Sequence, residues 1–203
     1  MSRYLLVILA WLLVGTTVLA DGPAGDDTDP VLAARLATLA DSPEPVQHYR
    51  EVRDGGLFSG AVTYTGRLEW REATGELIQW IDTPTSARLA VAGDRVEIQS
   101  GTGRPRTLPL SARPGLAAMM SGLRALLTGD VTALETVFTA DYLEADNQEW
   151  LLHLKPRDAA LREHLALLEV RGEDDRLVAI DRVGPEGRRE TMTIVPAPDV
   201  EQP

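Results

Sequence analysis

From Leu57 to about Thr107 polar and apolar side chains alternate, and turn signals interrupt the alternation too often for a crossover helix to fit between strands. Val62, Tyr64, Leu68 and Trp70 share one parity, while Thr63, Thr65, Arg67 and Glu69 share the other. That is the period of a strand with one buried face. Turns at Ala73-Thr74-Gly75, Thr83-Pro84-Thr85, Gly93-Asp94 and Gly101-Thr102-Gly103 delimit short strands near residues 76–82, 86–92, 94–99 and 104–108. Strands joined by such short links pair antiparallel, so this half of the chain is a meander.

The period then changes. Pro114 to Leu127 places Leu116, Met119, Met120, Leu123, Leu126 and Leu127 at helical spacing, which predicts one amphipathic helix ended by Gly129. Asp130 can cap a second short helix through Leu134, Val137 and Phe138. Alternation resumes with Trp150, Leu152 and Leu154 up to Pro156 and continues in strands near 164–171, 176–183 and 188–195, with turns at Gly172–Asp175 and Gly184–Gly187. Asp29-Pro30 reads as an N-cap and first-turn proline, opening a front helix through Val31, Leu32, Leu36 and Leu39. The pattern is an α+β chain: two antiparallel runs of strands flank a central helical insertion, with one more helix in front.

Arg3, the apolar stretch Tyr4 to Val14 and Val18-Leu19-Ala20 have the form of a secretory leader cleaved after Ala20. The apolar run is interrupted by Gly15-Thr16-Thr17, which disfavours a retained membrane anchor. Residues 1–20 are thus expected to be a signal peptide and 21–30, rich in Gly, Pro and Asp, a flexible linker. A single domain is expected over 31–198, with a disordered tail at 199–203. The formal charge is −11, and −12 once Arg3 leaves with the leader, which disfavours nucleic acid and anionic membrane surfaces as partners, since lasting adsorption to either needs a local basic patch and none is evident in the sequence. The absence of cysteine excludes disulfides, thiolate metal sites and a lipid-modified cysteine.

No catalytic centre can be assembled from the residues. His48, His153 and His164 match no metal-binding helix motif, and Ser59, Ser111 and Ser121 have no base at a recognisable spacing. Glu173-Asp174-Asp175 lacks the alternate ligand spacing of a calcium loop, and Gly101-Thr102-Gly103 lacks the lysine of a phosphate cradle. No enzyme activity, metal or cofactor is therefore expected. The informative chemistry is apolar: a sheet bearing Tyr64, Leu68, Trp70 and Trp80, and a helix bearing two methionines and four leucines. Such a helix either plugs an ordinary core or, because methionine is flexible and polarizable, repacks around hydrocarbon.

In order along the chain, Phe58-Ser59-Gly60, Gly66-Arg67-Leu68-Glu69-Trp70, Thr83-Pro84 and Gly93-Asp94-Arg95-Val96 are followed by Arg106-Thr107-Leu108, Leu123-Arg124-Ala125-Leu126-Leu127, Gly129-Asp130 and Leu134. Trp150-Leu151-Leu152-His153-Leu154-Lys155-Pro156 follows in turn. This succession resembles the LolA family of outer-membrane lipoprotein carriers, and more closely a divergent LolA-related branch. The resemblance implies an incomplete, unclosed antiparallel β-barrel with an α-helical lid over a hydrophobic cavity. It also implies a monomeric periplasmic carrier that ferries an acylated lipoprotein or other lipid from an inner-membrane exporter to an outer-membrane acceptor. On this reading Tyr64, Leu68, Trp70, Trp80, Leu89 and Val91 line the sheet side, and Leu116, Met119, Met120, Leu123 and Leu127 the lid. One departure stands out. Where the main branch has a basic residue followed by proline that helps to hold the lid, this chain has Arg71-Glu72-Ala73, with Arg71 the stand-in.

Three alternatives stand beside this reading, the first of them implied by the resemblance to the divergent branch. The cargo could be a glycolipid or other acylated product of a dedicated export system. The barrel could be filled by its own side chains and act as a cell-envelope interaction module through a sheet edge. A lipid hydrolase is the weakest, for want of a nucleophile and base.

Overall fold

The computed structural model describes residues 29–41, 46–53, 60–145 and 148–197. The expected leader, most of the linker, Phe58-Ser59 and the C-terminal tail lie outside the described residues. Among the described residues no helix is long and apolar enough to cross a membrane.

The elements are α1 (Pro30–Ala40), β1 (Val46–Arg53), β2 (Val62–Arg71), β3 (Glu76–Thr83), β4 (Ala87–Ala92), β5 (Arg95–Ser100), β6 (Arg106–Pro109), α2 (Pro114–Thr128), α3 (Val131–Val137), β7 (Phe138–Glu144), β8 (Glu149–Pro156), α4 (Ala159–Arg162), β9 (Leu167–Glu173), β10 (Arg176–Val183) and β11 (Arg189–Val195). All eleven strands form one sheet in the order β6-β5-β4-β3-β2-β1-β11-β10-β9-β8-β7. Every pairing is antiparallel. β1 and β11 meet in the middle, each arm is a meander of hairpins, and β6 and β7 are the unpaired ends. The sheet is therefore unclosed, and the insertion α2–α3 links its two edges.

Two strands depart from the sequence-based expectation. β1 was not anticipated, because its helix-facing side chains are Gln47, Tyr49, Glu51 and Arg53, so polar residues point inward while Val46 and Val52 are exposed. β7 was hidden because the chain passes from α3 straight into it; Phe138, expected on the helix, is the first strand residue and fully buried.

Local chemistry explains the helices. The Asp29 carboxylate accepts from the Val31 amide at 2.9 Å and Pro30 opens α1, as expected. α2 ends at Gly129, whose φ of 68° is the left-handed conformation glycine tolerates best. Asp130 caps α3 by accepting from the Ala133 amide.

Each arm also carries an aromatic ring laid across a glycine of the neighbouring strand. Tyr49 pairs with Gly66, and Trp150 with Gly172. A Cβ on Gly172 would lie 2.0 Å from the Trp150 ring, and one on Gly66 would lie 1.9 Å from the Trp80 carbonyl oxygen and 2.9 Å from the Tyr49 hydroxyl. The bare glycines thus let large rings lie flat on the sheet. The Tyr49 hydroxyl then donates to the Trp80 carbonyl at 3.2 Å and accepts from Gln79 Nε2 at 3.0 Å, while Trp150 Nε1 donates to the Asp174 carbonyl at 3.1 Å.

The larger core lies on the C-terminal arm, where Leu32, Leu36, Leu134, Phe138, Leu152 and Leu154 are among its most buried members. A smaller core on the N-terminal arm centres on Val91, Val96 and Leu110, with Leu89, Ile98, Leu108, Leu116, Ala117 and Met120 half-buried around it. α2 touches both.

Candidate functional site

Register decides which side chains face the helices. Across the N-terminal arm the inward residues form two cross-strand rows. One runs Trp70, Leu77, Val91, Val96, Leu108; the next runs Leu68, Gln79, Leu89, Ile98, Arg106. Leu68, Trp70, Leu77, Leu89 and Ile98 are only half-buried. This strip of apolar surface is incompletely covered.

α2 stands over the strip's far end with two distinct faces. Gly115, Ala118, Gly122 and Ala125 recur at helical spacing and bring it close to the C-terminal arm: a Cβ on Gly122 would lie 2.2 Å from Phe138 Cε2, and one on Gly115 would lie 2.9 Å from the Ala160 carbonyl oxygen. Leu116 and Met120 face the other way and pack on the small N-terminal core. Close approach through small residues, together with Met119, Leu123 and Leu126, holds α2 to the C-terminal arm, and Leu116 and Met120 form the contact with the other.

The structure therefore sets Leu89 and Val91 of the sheet against Leu116 and Met120 of the helix, and Leu68 and Trp70 lie in the same inward rows two strands further along. Five expected positions fall elsewhere. Met119 and Leu123 pack on the C-terminal core. Leu127 is half-buried outside both cores. Tyr64 does face inward, but opposite Glu51 and beneath Arg53, whose guanidinium lies 4.5 Å from its ring centroid.

Trp80 is a correction. It pairs with Arg67 and Arg88 on the outward face, its ring between their guanidinia at 4.7 and 5.4 Å, and its Nε1 donates to Glu69 Oε2 at 3.2 Å. The parity that carries Leu68 inward gives Gln79 and Leu77, not Trp80, the inward positions on β3. Leu77 is the residue the sequence reading missed, although it was accessible once β3 was aligned against Trp70. Arg71 is a second correction. It lies on that outward face, bonded to Glu69 at 2.6 Å and Glu76 at 3.1 Å, and so does not hold α2 in place of the expected basic residue.

The inward face of the sheet's centre is polar. Arg53 donates two hydrogen bonds to Glu51, at 2.8 and 2.7 Å, and Arg182 pairs with Glu190. Burial opposes the Arg53 charge, but the Glu51 hydrogen bonds and the negative charges of Glu51 and Glu190 outweigh it and hold the guanidinium above its ordinary range. Burial also pushes the Tyr49 hydroxyl up to about 12. These groups bound the apolar strip on one side with charges that are already paired. Among the described residues no cluster of His, Asp or Glu could hold a metal ion.

An unclosed antiparallel sheet that keeps a half-covered apolar strip beside one amphipathic helix defines an α+β protein of the incomplete-barrel class. A family model described as outer membrane lipoprotein carrier protein LolA-like matches residues 20–198, and the chain belongs to that family.

Solved structures show similarity at low identity. MucB is 16% identical, with a TM-score of 0.43 over 85% of this chain and 62% of that one. A LolA superfamily protein from Nitrosomonas europaea is 13% identical, with a TM-score of 0.38 over 83% of this chain and 94% of that one. The lipoprotein LppX of Mycobacterium tuberculosis is 12% identical, with a TM-score of 0.41 over 84% of this chain and 99% of that one. This chain therefore spans less than two thirds of MucB. No curated protein matches the sequence.

Proposed function

We propose that the protein is a non-enzymatic carrier that takes an acyl chain of a lipoprotein or other acylated lipid into the seam between α2 and the N-terminal arm. It would ferry this cargo through the periplasm from inner to outer membrane. The observation that supports the reading is the half-covered strip Leu68, Trp70, Leu77, Leu89 and Ile98, whose Leu89 and Ile98 end shares a packing cluster with the flexible Met120.

At about 0.8 kcal/mol per methylene, an acyl chain of ordinary length opposes entry into water by roughly 10 kcal/mol or more. An apolar seam offsets most of that cost, and it does so without covalent chemistry or nucleotide. The close approach at Gly115 and Gly122 supports a yielding contact on the other side: α2 stays on the C-terminal arm, and Leu116 and Met120 part from Val91 and its neighbours.

Titration with a fluorescent fatty-acyl probe tests this. Met120→Asp is expected to abolish uptake while far-ultraviolet circular dichroism stays that of the parent; undiminished uptake in the folded variant would overturn the assignment of the seam. Leu123→Asp separates seam from core, since Leu123 packs on the C-terminal arm and its loss is expected to lower stability instead.

A further inference from the structure

The N-terminal edge of the sheet differs in charge from the rest of the molecule. The chain has 20 basic and 31 acidic residues, yet residues 84–113 hold five arginines against two carboxylates, Asp94 and Glu97. Among the described residues the strand arginines Arg50, Arg95 and Arg176 have no ion-pair partner, whereas Arg53, Arg67, Arg71, Arg88, Arg171 and Arg182 each sit against a carboxylate. Arg104 and Arg106 do not. Among the described residues neither has an ion-pair partner, and both are exposed.

Together they line an open groove of about 240 Å³ with Ile98, Ser100, Gly103 and Pro105. Its rim is held in shape by hydrogen bonds from the Gly101 amide to the Ser86 carbonyl, from the Gly103 amide to the Ser100 carbonyl, and from Gln99 Nε2 to the Gly103 carbonyl. The groove is also continuous with the apolar strip. Arg106 ends the row Leu68, Gln79, Leu89, Ile98, and Ile98 belongs both to that row and to the groove wall.

We infer that the β5–β6 edge is a docking surface for an anionic lipid bilayer, with Arg104 and Arg106 receiving headgroup phosphates at the entrance to the apolar seam. Two unmatched guanidinia present the planar fork that phosphate oxygens fit. Charge complementarity is local: the Debye length is about 8 Å at physiological salt, so the acidic far side of the molecule does not cancel attraction at this edge. The apolar wall from Ile98 to Leu89 favours a bilayer over an acidic protein, since a hydrocarbon chain leaving the membrane here reaches the end of the apolar strip.

The test compares partitioning of the full chain onto vesicles of mixed phosphatidylglycerol and phosphatidylcholine with partitioning onto pure phosphatidylcholine. The ratio removes any contribution of the apolar N-terminal segment, which is the same in every variant. The parent is expected to prefer the anionic vesicles, and the preference is expected to fall about fivefold for each arginine replaced, so on the order of 25-fold in Arg104→Ala/Arg106→Ala. Arg50→Ala, an exposed arginine on the outward face of β1, is expected to leave the ratio unchanged.

No preference in the parent, or an unchanged ratio in the double variant, would overturn the proposal. So would full competition by inorganic phosphate at matched ionic strength, which would assign a small-anion site, or binding of polyglutamate without binding of anionic vesicles, which would assign an acidic protein. Uptake of the acyl probe from detergent-free solution is expected to survive in the double variant. The docking surface and the acyl seam can therefore fail separately.

Discussion

Gly122 is where α2 is pinned, and Gly122→Ala is the sharpest test of that. In a helix interior the exchange of glycine for alanine ordinarily stabilises by about 1 kcal/mol. Here the new methyl would lie 2.2, 3.1 and 3.2 Å from three atoms of the Phe138 ring, which is fully buried at the start of β7. The ring is fully buried and the clash is with its body, so the ring, α2 or β7 must shift, and overpacking of this kind costs about 1–3 kcal/mol. With a first contact this close the upper part of that range applies, and the net expectation is a loss of about 1–2 kcal/mol despite the propensity gain. Urea unfolding measures it, with Ser121→Ala on the exposed side of the same helix as control, expected to gain up to about 0.5 kcal/mol. A double-mutant cycle with Phe138→Leu should recover part of the loss, because the smaller side chain makes room. A Gly122→Ala protein as stable as the parent, or more so, would refute the close approach and with it the view that α2 travels with the C-terminal arm.

Two further expectations concern stability. Arg35 ties α1 to the far edge of the sheet through the Tyr142 hydroxyl at 2.9 Å, Glu144 at 3.0 Å, the Asp174 carbonyl and the face of Trp150, so Arg35→Ala should cost about 1–2 kcal/mol in the same assay. An unchanged unfolding midpoint would contradict that role. Tyr49 titrates near 12 in the folded chain because burial disfavours its anion, against about 10 when unfolded. Its contribution is complete below pH 10 and lost as pH rises to 12, since the unfolded state gives up its proton first. Tyr49→Phe should flatten the part of the alkaline stability decline that falls in this window; an identical decline in the variant would contradict the assignment.

The antiparallel arms and the central helix were legible because each obeys a simple period, and parity placed Val62, Tyr64, Leu68 and Trp70 on one face, while Leu89 and Val91 came only with the family resemblance. Three physical features defeated the same logic. β1 turns polar side chains inward, with Glu51 and Arg53 satisfying one another, so its hydrophobic signal is reversed. Trp80 reads as core by composition, yet two flanking arginines and Glu69 give it a complete set of partners on the outward face. The spacing of Met119 and Leu123 was read correctly as helical, but a helix inserted between two arms has two buried faces, and spacing alone does not say which arm each face meets. The glycines at 115 and 122 held that information, since a helix interior retains glycine at a cost unless something packs against it.

The central claim is that hydrocarbon enters between α2 and the N-terminal arm. Quenching of tryptophan fluorescence by a brominated fatty acid tests it directly, because Trp70 lies on the inward strip while Trp80 lies on the opposite face of the sheet. The account predicts strong quenching in the parent and in Trp80→Phe, and its loss in Trp70→Phe. Quenching that persists without Trp70 and disappears without Trp80, or none in any of the three proteins, would contradict it.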